Sequence, residues 1–119
     1  MADLSLSDLR DADLRRADLR GINLERVVAK GADLSGCDLS AVESVTSDRR
    51  IWSANLSFAK FQGARFIGAT LRGAKLTGTD FENADLRDCD LRGCNLKEAR
   101  LTGANLTGAQ IDGDLQKTG

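Results

Sequence analysis

A large apolar residue recurs every fifth position along almost the whole chain. It stands at Ile51, Leu56, Phe61, Phe66, Leu71, Leu76, Phe81, Leu86, Leu91, Leu96, Leu101, Leu106 and Ile111, thirteen residues without a miss. Two places earlier lies a small residue, from Ala54 to Ala109, with Thr79, Cys89 and Cys94 as the departures from alanine and Arg49 as the break at the entry. The first part repeats the pattern at Leu4, Leu9, Leu14, Leu19, Leu24, Leu34 and Leu39, with Ala29 its weak member. A period of five belongs neither to a helix nor to a simple strand. On an α-helix, residues five apart advance about 140° beyond a full turn, so the leucines would spiral around the surface.

The geometry is therefore built locally. If the large apolar position is i, then i−2 and i point one way and the polar i−1 the other, which is three residues of extended chain. Eleven of the 12 glycines fall at i+2, where a corner uses their freedom at positive φ. Each pentapeptide is a short side followed by a bend. Such sides bury their i and i−2 columns only when the chain winds on itself and the windings stack, which makes a β-solenoid.

Ala32-Asp33-Leu34-Ser35-Gly36 and Ala104-Asn105-Leu106-Thr107-Gly108 carry the motif of small residue, Asp or Asn, Leu or Phe, polar residue and Gly. In these residues the chain resembles the pentapeptide-repeat family, over about residues 2–41 and 49–113. The resemblance implies an all-β fold, a right-handed quadrilateral β-helix with four pentapeptides to a coil and coils about 4.8 Å apart. Eight pentapeptides and thirteen more give about five coils. One solenoid domain over 1–119 is expected: a repeat block at 2–41, an irregular loop or bulge at 42–50, a second block at 51–113 and a tail at 114–119.

The two blocks are out of phase. Leu39 and Ile51 are twelve residues apart instead of ten, and the segment between them has no glycine and no good repeat. Loops on rigid scaffolds often carry recognition. Beside this one, apolar residues occupy outward positions: Trp52 and Ile67 at i+1 and Phe58 at i+2. Two readings stand. Val42 and Val45 fold back over the patch as a satellite core, or Arg49, Arg50, Trp52, Phe58 and Ile67 form a partner-binding epitope, since Trp and Arg dominate interface energetics. Arg72, twenty residues after Trp52, is placed for a cation–π contact with it.

Catalytic chemistry has little to work with. The chain has no histidine, which removes Ser–His and Cys–His nucleophile pairs and His-ligated metal. Cys37, Cys89 and Cys94 all lie on the inward small column and read as buried thiols standing in for alanine. Neither a metal nor a cofactor is expected, and no catalytic residue. The aspartates at i−1 read as motif; stacked every twenty residues, Asp13 meets Asp33 and Asp18 meets Asp38, which raises one carboxyl of each pair unless Arg15, Arg16 and Arg20 screen it. The second block alternates signs, with Lys60, Asp80 and Arg100 on one face and Arg65, Asp85 and Asn105 on another.

With 17 basic and 18 acidic residues, bulk positive charge for nucleic acid is absent. No stretch approaches a membrane span, and the start lacks a signal-peptide pattern. A cytoplasmic, non-enzymatic protein-interaction scaffold is expected, with a protein partner, no direct nucleic acid and no membrane. A solenoid exposes its core at uncapped ends, so either Leu115 plugs one end or the rod forms a homodimer through a terminal coil. The alternative that the resemblance suggests is a DNA-mimicking regulator or protector of type II topoisomerase, of the quinolone-resistance type. Those relatives are markedly acidic along the rod, and this chain is near neutral.

Overall fold

The computed structural model describes residues 2–43 and 50–112. Within them the i−1 residues form four columns of parallel bridges. The first runs Asp3, Asn23, Asn55, Lys75; the second Asp8, Val28, Lys60, Asp80, Arg100; the third Asp13, Asp33, Arg65, Asp85, Asn105; the fourth Asp18, Asp38, Thr70, Asp90, Gln110. Successive pentapeptides occupy the four faces in turn, and the next one returns above the first. Faces are numbered here by their columns, and levels from the N-terminal side.

The hydrogen bonds follow from that stacking. The i residue donates its N–H to the i−1 carbonyl of the level above, as Leu4 does to Asn23 at 2.8 Å, and Asn23 donates back to Ala2 at 3.0 Å. At each corner the following i−2 N–H returns to the i carbonyl, as Ala59 does to Leu56 at 3.0 Å. The i+1 N–H is left over, and the i−1 side chain takes it: Asp13 Oδ1 accepts from Arg15 at 3.1 Å and Asn55 Oδ1 from Ser57 at 3.0 Å. This explains why i−1 favours Asp and Asn, whose short side chains reach a backbone donor two residues on. At i+2, ten glycines and seven other residues hold positive φ. The corner exceptions are Ala41, where the chain leaves the winding, and Glu98, in the 3-10 turn Leu96–Glu98 that ends the first column.

Inside lie the i and i−2 side chains, with Leu24, Leu34, Leu39, Leu56, Leu71, Leu86 and Leu91 fully buried. Each contributes about 1.5–3 kcal/mol by burial. Phe61, Phe66 and Phe81 pack together, with Phe66 edge-on to Phe61 and Phe81 at centroid distances of 5.0 and 5.5 Å. Thr79, Cys89 and Cys94 replace alanine at i−2 at little polar cost. Thr79 Oγ1 donates to the Leu56 carbonyl at 2.7 Å, Cys89 Sγ to Phe66 at 2.8 Å and Cys94 Sγ to Leu71 at 2.9 Å. Among the described residues, Leu4, Leu9, Leu14, Leu101, Leu106 and Ile111 are only partly buried against this core.

The break corrects two expectations. Column neighbours lie twenty residues apart except across it, where Asn23 meets Asn55, thirty-two residues on. The excess of twelve is an excursion, residues 41–52. Its legs, β1 (Val42–Glu43) and β2 (Ile51–Trp52), pair antiparallel, Val42 with Trp52 and Glu43 with Ile51. Ile51 is therefore not the first member of the second block; it is 65% exposed, because it pairs with Glu43 and not with a level below. The second block begins at Ala54 with Leu56, and Trp52 is not a coil position.

Candidate functional site

The first face is bounded by two aromatic corners. At its fourth-face edge stands Trp52, 41% exposed, with the Arg50 guanidinium 5.4 Å from the ring centroid. Arg72, expected in that role, instead belongs to the fourth face, two residues beyond Thr70, because the excursion takes Trp52 out of the twenty-residue register. At the second-face edge stands Phe58, 44% exposed, with Arg26 over its ring at 4.7 Å. Ile67 lies on the third face, one residue after Phe66, half-buried and remote from both. The grouping of Trp52, Phe58 and Ile67 thus divides: two residues flank one face and the third lies elsewhere. Arg49, Val45 and Leu115 fall outside the described residues.

The corner holding Phe58 is unlike the others. Elsewhere, positive φ at i+2 is taken by Gly, Asn or Asp, residues that bear it easily, with Arg16 as the exception. Here Leu6, Arg26 and Phe58 stack one above another with φ of 64, 59 and 60°. Leu6 is 75% exposed. Left-handed backbone costs such side chains about 1–3 kcal/mol each. The twenty-residue register already stacks Leu6 beneath Arg26; that Phe58 joins them follows only from the twelve-residue length of the excursion.

Between the corners, at Trp52, the face dips into a hollow of about 300 Å³ lined by Asp3, Ile22, Asn23, Asn55 and Lys75 among others. A broader hollow of about 550 Å³ on the second face gathers Arg10, Lys30 and Lys60 with Gln62 and Glu82.

On the remaining faces six arginines pair with carboxylates of the same face. Arg10 forks Asp8, Arg15 forks Asp13, Arg20 forks Asp18, Arg87 forks Asp85 and Arg92 forks Asp90, with closest contacts of 2.7–2.8 Å. Arg100 reaches both Asp80 and Glu82. The alternation Lys60, Asp80, Arg100 and Arg65, Asp85, Asn105 is realised in the columns. The Asp13–Asp33 and Asp18–Asp38 neighbours also form, but the arginines win: hydrogen bonds from Arg15 and Arg20 hold Asp13 and Asp18 at about 2, and those from Ser35 lower Asp33. Burial pushes the Cys37 and Cys89 thiols up to about 12 and Cys94 to about 11. Such thiols are poor nucleophiles and ligands. Among the described residues no group of Cys, Asp and Glu is arranged to hold a metal ion, and no helix is long and apolar enough to cross a membrane.

Four ladders of single bridges, turned at every fifth residue around an apolar interior, define the class: a repeat protein of the β-solenoid kind. The model of pentapeptide repeats (eight copies) matches residues 2–42, 53–88 and 80–113, leaving out most of the excursion. The chain belongs to the pentapeptide repeat family. Its fold resembles that of Rfr23, a pentapeptide repeat protein from the cyanobacterium Cyanothece 51142, with a TM-score of 0.64 and 31% identity over 90% of this chain and 61% of that one. The chain thus spans about three fifths of that relative's length. Two further solved structures superpose less well. HetL, involved in heterocyst differentiation regulation in Nostoc sp. strain PCC 7120, has a TM-score of 0.34 and 32% identity over 92% of this chain and 48% of that one. QnrB1, a plasmid-mediated fluoroquinolone resistance protein, has a TM-score of 0.45 and 21% identity over 93% and 63%. No curated protein matches the chain in sequence.

Proposed function

We propose that the chain is a non-enzymatic scaffold, a right-handed quadrilateral β-helix of five coils whose first face, between the Trp52 and Phe58 corners, docks a protein partner. The observation that carries this reading is the stack of Leu6, Arg26 and Phe58 at positive φ. A corner free to use glycine instead presents two apolar side chains and a guanidinium to solvent, beside the half-exposed Trp52. Trp, Arg and large apolar residues are the side chains from which binding hot spots are built. The self-paired charges of the other faces also favour a scaffold over a DNA mimic, whose role needs a run of unneutralised negative charge.

The test is capture of the native partner by the full chain, compared with Trp52→Ala and Phe58→Gly, alongside far-UV circular dichroism and thermal unfolding. Loss of capture by both variants with the β signal intact is expected. Unfolding of the rod by Phe58→Gly, or undiminished capture by both, overturns the reading.

A further inference from the structure

The first column differs in chemistry from the other three. Asn23 and Asn55 each spend the amide oxygen on a backbone N–H, Glu25 at 3.0 Å and Ser57 at 3.0 Å. Each amide keeps an NH₂ with no partner among the described residues. Directly above Asn55 stands Lys75, exposed, and its ammonium makes no ion pair among the described residues. The column is therefore a row of three hydrogen-bond donors with no acceptor between them, running along the rod beside Trp52. Asp3 closes the lower end; its carboxylate accepts the Ser5 N–H at 2.9 Å. The second, third and fourth columns instead interleave carboxylates with arginines that neutralise them. The second-face hollow is lined by Lys30, Lys60 and Arg10, the last paired with Asp8, and its Glu82 is held by Arg100; none of its lining residues is aromatic.

We infer that this row, with Trp52, is a recognition site for an extended acidic segment of a partner protein. The inference rests on the scaffold reading above and adds the partner's chemistry. Strand spacing of about 4.8 Å puts Lys75 about 14 Å from Asp3, the span of four extended residues at about 3.4 Å each. Such a segment lays a carboxylate on Lys75 and Asn55, a backbone carbonyl on Asn23, a backbone N–H on Asp3 and an apolar side chain against Trp52. A carboxylate held by an ammonium and an amide gains charge-assisted hydrogen bonds, stronger than neutral ones.

The chain has one tryptophan, so its indole resonance reports the site alone. The experiment titrates the ¹⁵N-labelled full chain with the blocked peptide Ac-Leu-Glu-Leu-Glu-Leu-NH₂ and with its Gln analogue. Concerted, saturable shifts of the Trp52 indole and the Asn23 and Asn55 side-chain amides are expected, with the Gln peptide at least tenfold weaker. Lys75→Glu and Asn55→Asp should each weaken the Glu peptide at least tenfold. Asn55→Asp keeps the hydrogen bond to Ser57, since Asp fills the same position in many repeats, so it removes the donor without disturbing the fold. Absence of saturable shifts, equal binding of the two peptides, or indifference to both substitutions overturns the inference. If the native partner is still lost on Trp52→Ala and Phe58→Gly in that case, the scaffold reading stands and only the acidic chemistry is wrong.

Discussion

The ring of Phe58 occupies the space that a Cβ on Gly78 would need: a methyl built there falls 2.5 Å from Phe58 Cδ1 and 2.7 Å from Cε1. Corner side chains lean toward the level above, and glycine there admits them. Asn83 beneath Gly103 and Asp88 beneath Gly108 repeat the arrangement, whereas Gly63, Gly68 and Gly73 have nothing within 4 Å of the same position.

Two glycines with the same positive φ therefore differ. Gly63→Ala meets only backbone strain, about 1 kcal/mol. Gly78→Ala adds displacement of the Phe58 ring from between Arg26 and the corner, and should cost more than Gly63→Ala in chemical denaturation. Equal costs would show that the ring moves aside freely.

Leu6 carries left-handed strain without much burial in return. Leu6→Gly should leave the rod as stable as before or raise its stability, by up to about 1 kcal/mol. Phe66→Ala, deep in the aromatic cluster, should cost about 3–5 kcal/mol. Thermal unfolding of the two variants checks both signs.

The excursion should be separable from the rod. Deleting residues 41–52 joins Ser40 to Ser53 and restores a twenty-residue level, so the β signal and the cooperative melt should persist. Removing the ten residues 42–51 leaves two extra at the corner and should destabilise the rod. A melt lowered equally by both deletions would show that the excursion braces the core.

Asp13 and Asp18 should titrate near 2 although each faces another aspartate, because Arg15 and Arg20 hold their charged forms. A folded value depressed from 3.8 stabilises the rod above that value and loses its effect as pH falls toward 2. Carboxyl-carbon NMR titration should place Asp13 near 2 in the native chain and higher in Arg15→Gln. A midpoint unmoved by that substitution would assign the shift to the backbone hydrogen bond instead.

The three thiols should resist alkylation at pH 8 while the rod is folded and react fully in denaturant, since burial raises each of them. Rapid native labelling of Cys89 would contradict its hydrogen bond to Phe66.

The five-residue period by itself determined the inward columns, the corners and the burial of leucines such as Leu71 and Leu91, because each pentapeptide solves the same local problem: two apolar side chains in, one Asx closing a turn, one residue at positive φ. Only the tertiary structure decided which levels meet. A break of two residues in phase is equally a bulge or a longer departure when read locally, and the choice rests on the bridge between Asn23 and Asn55. That choice sends Ile51 out to solvent, separates Ile67 from Trp52 and stacks Leu6, Arg26 and Phe58. The candidate face is therefore a property of long-range register, which no local pattern encodes, while the rod that displays it is written in every repeat.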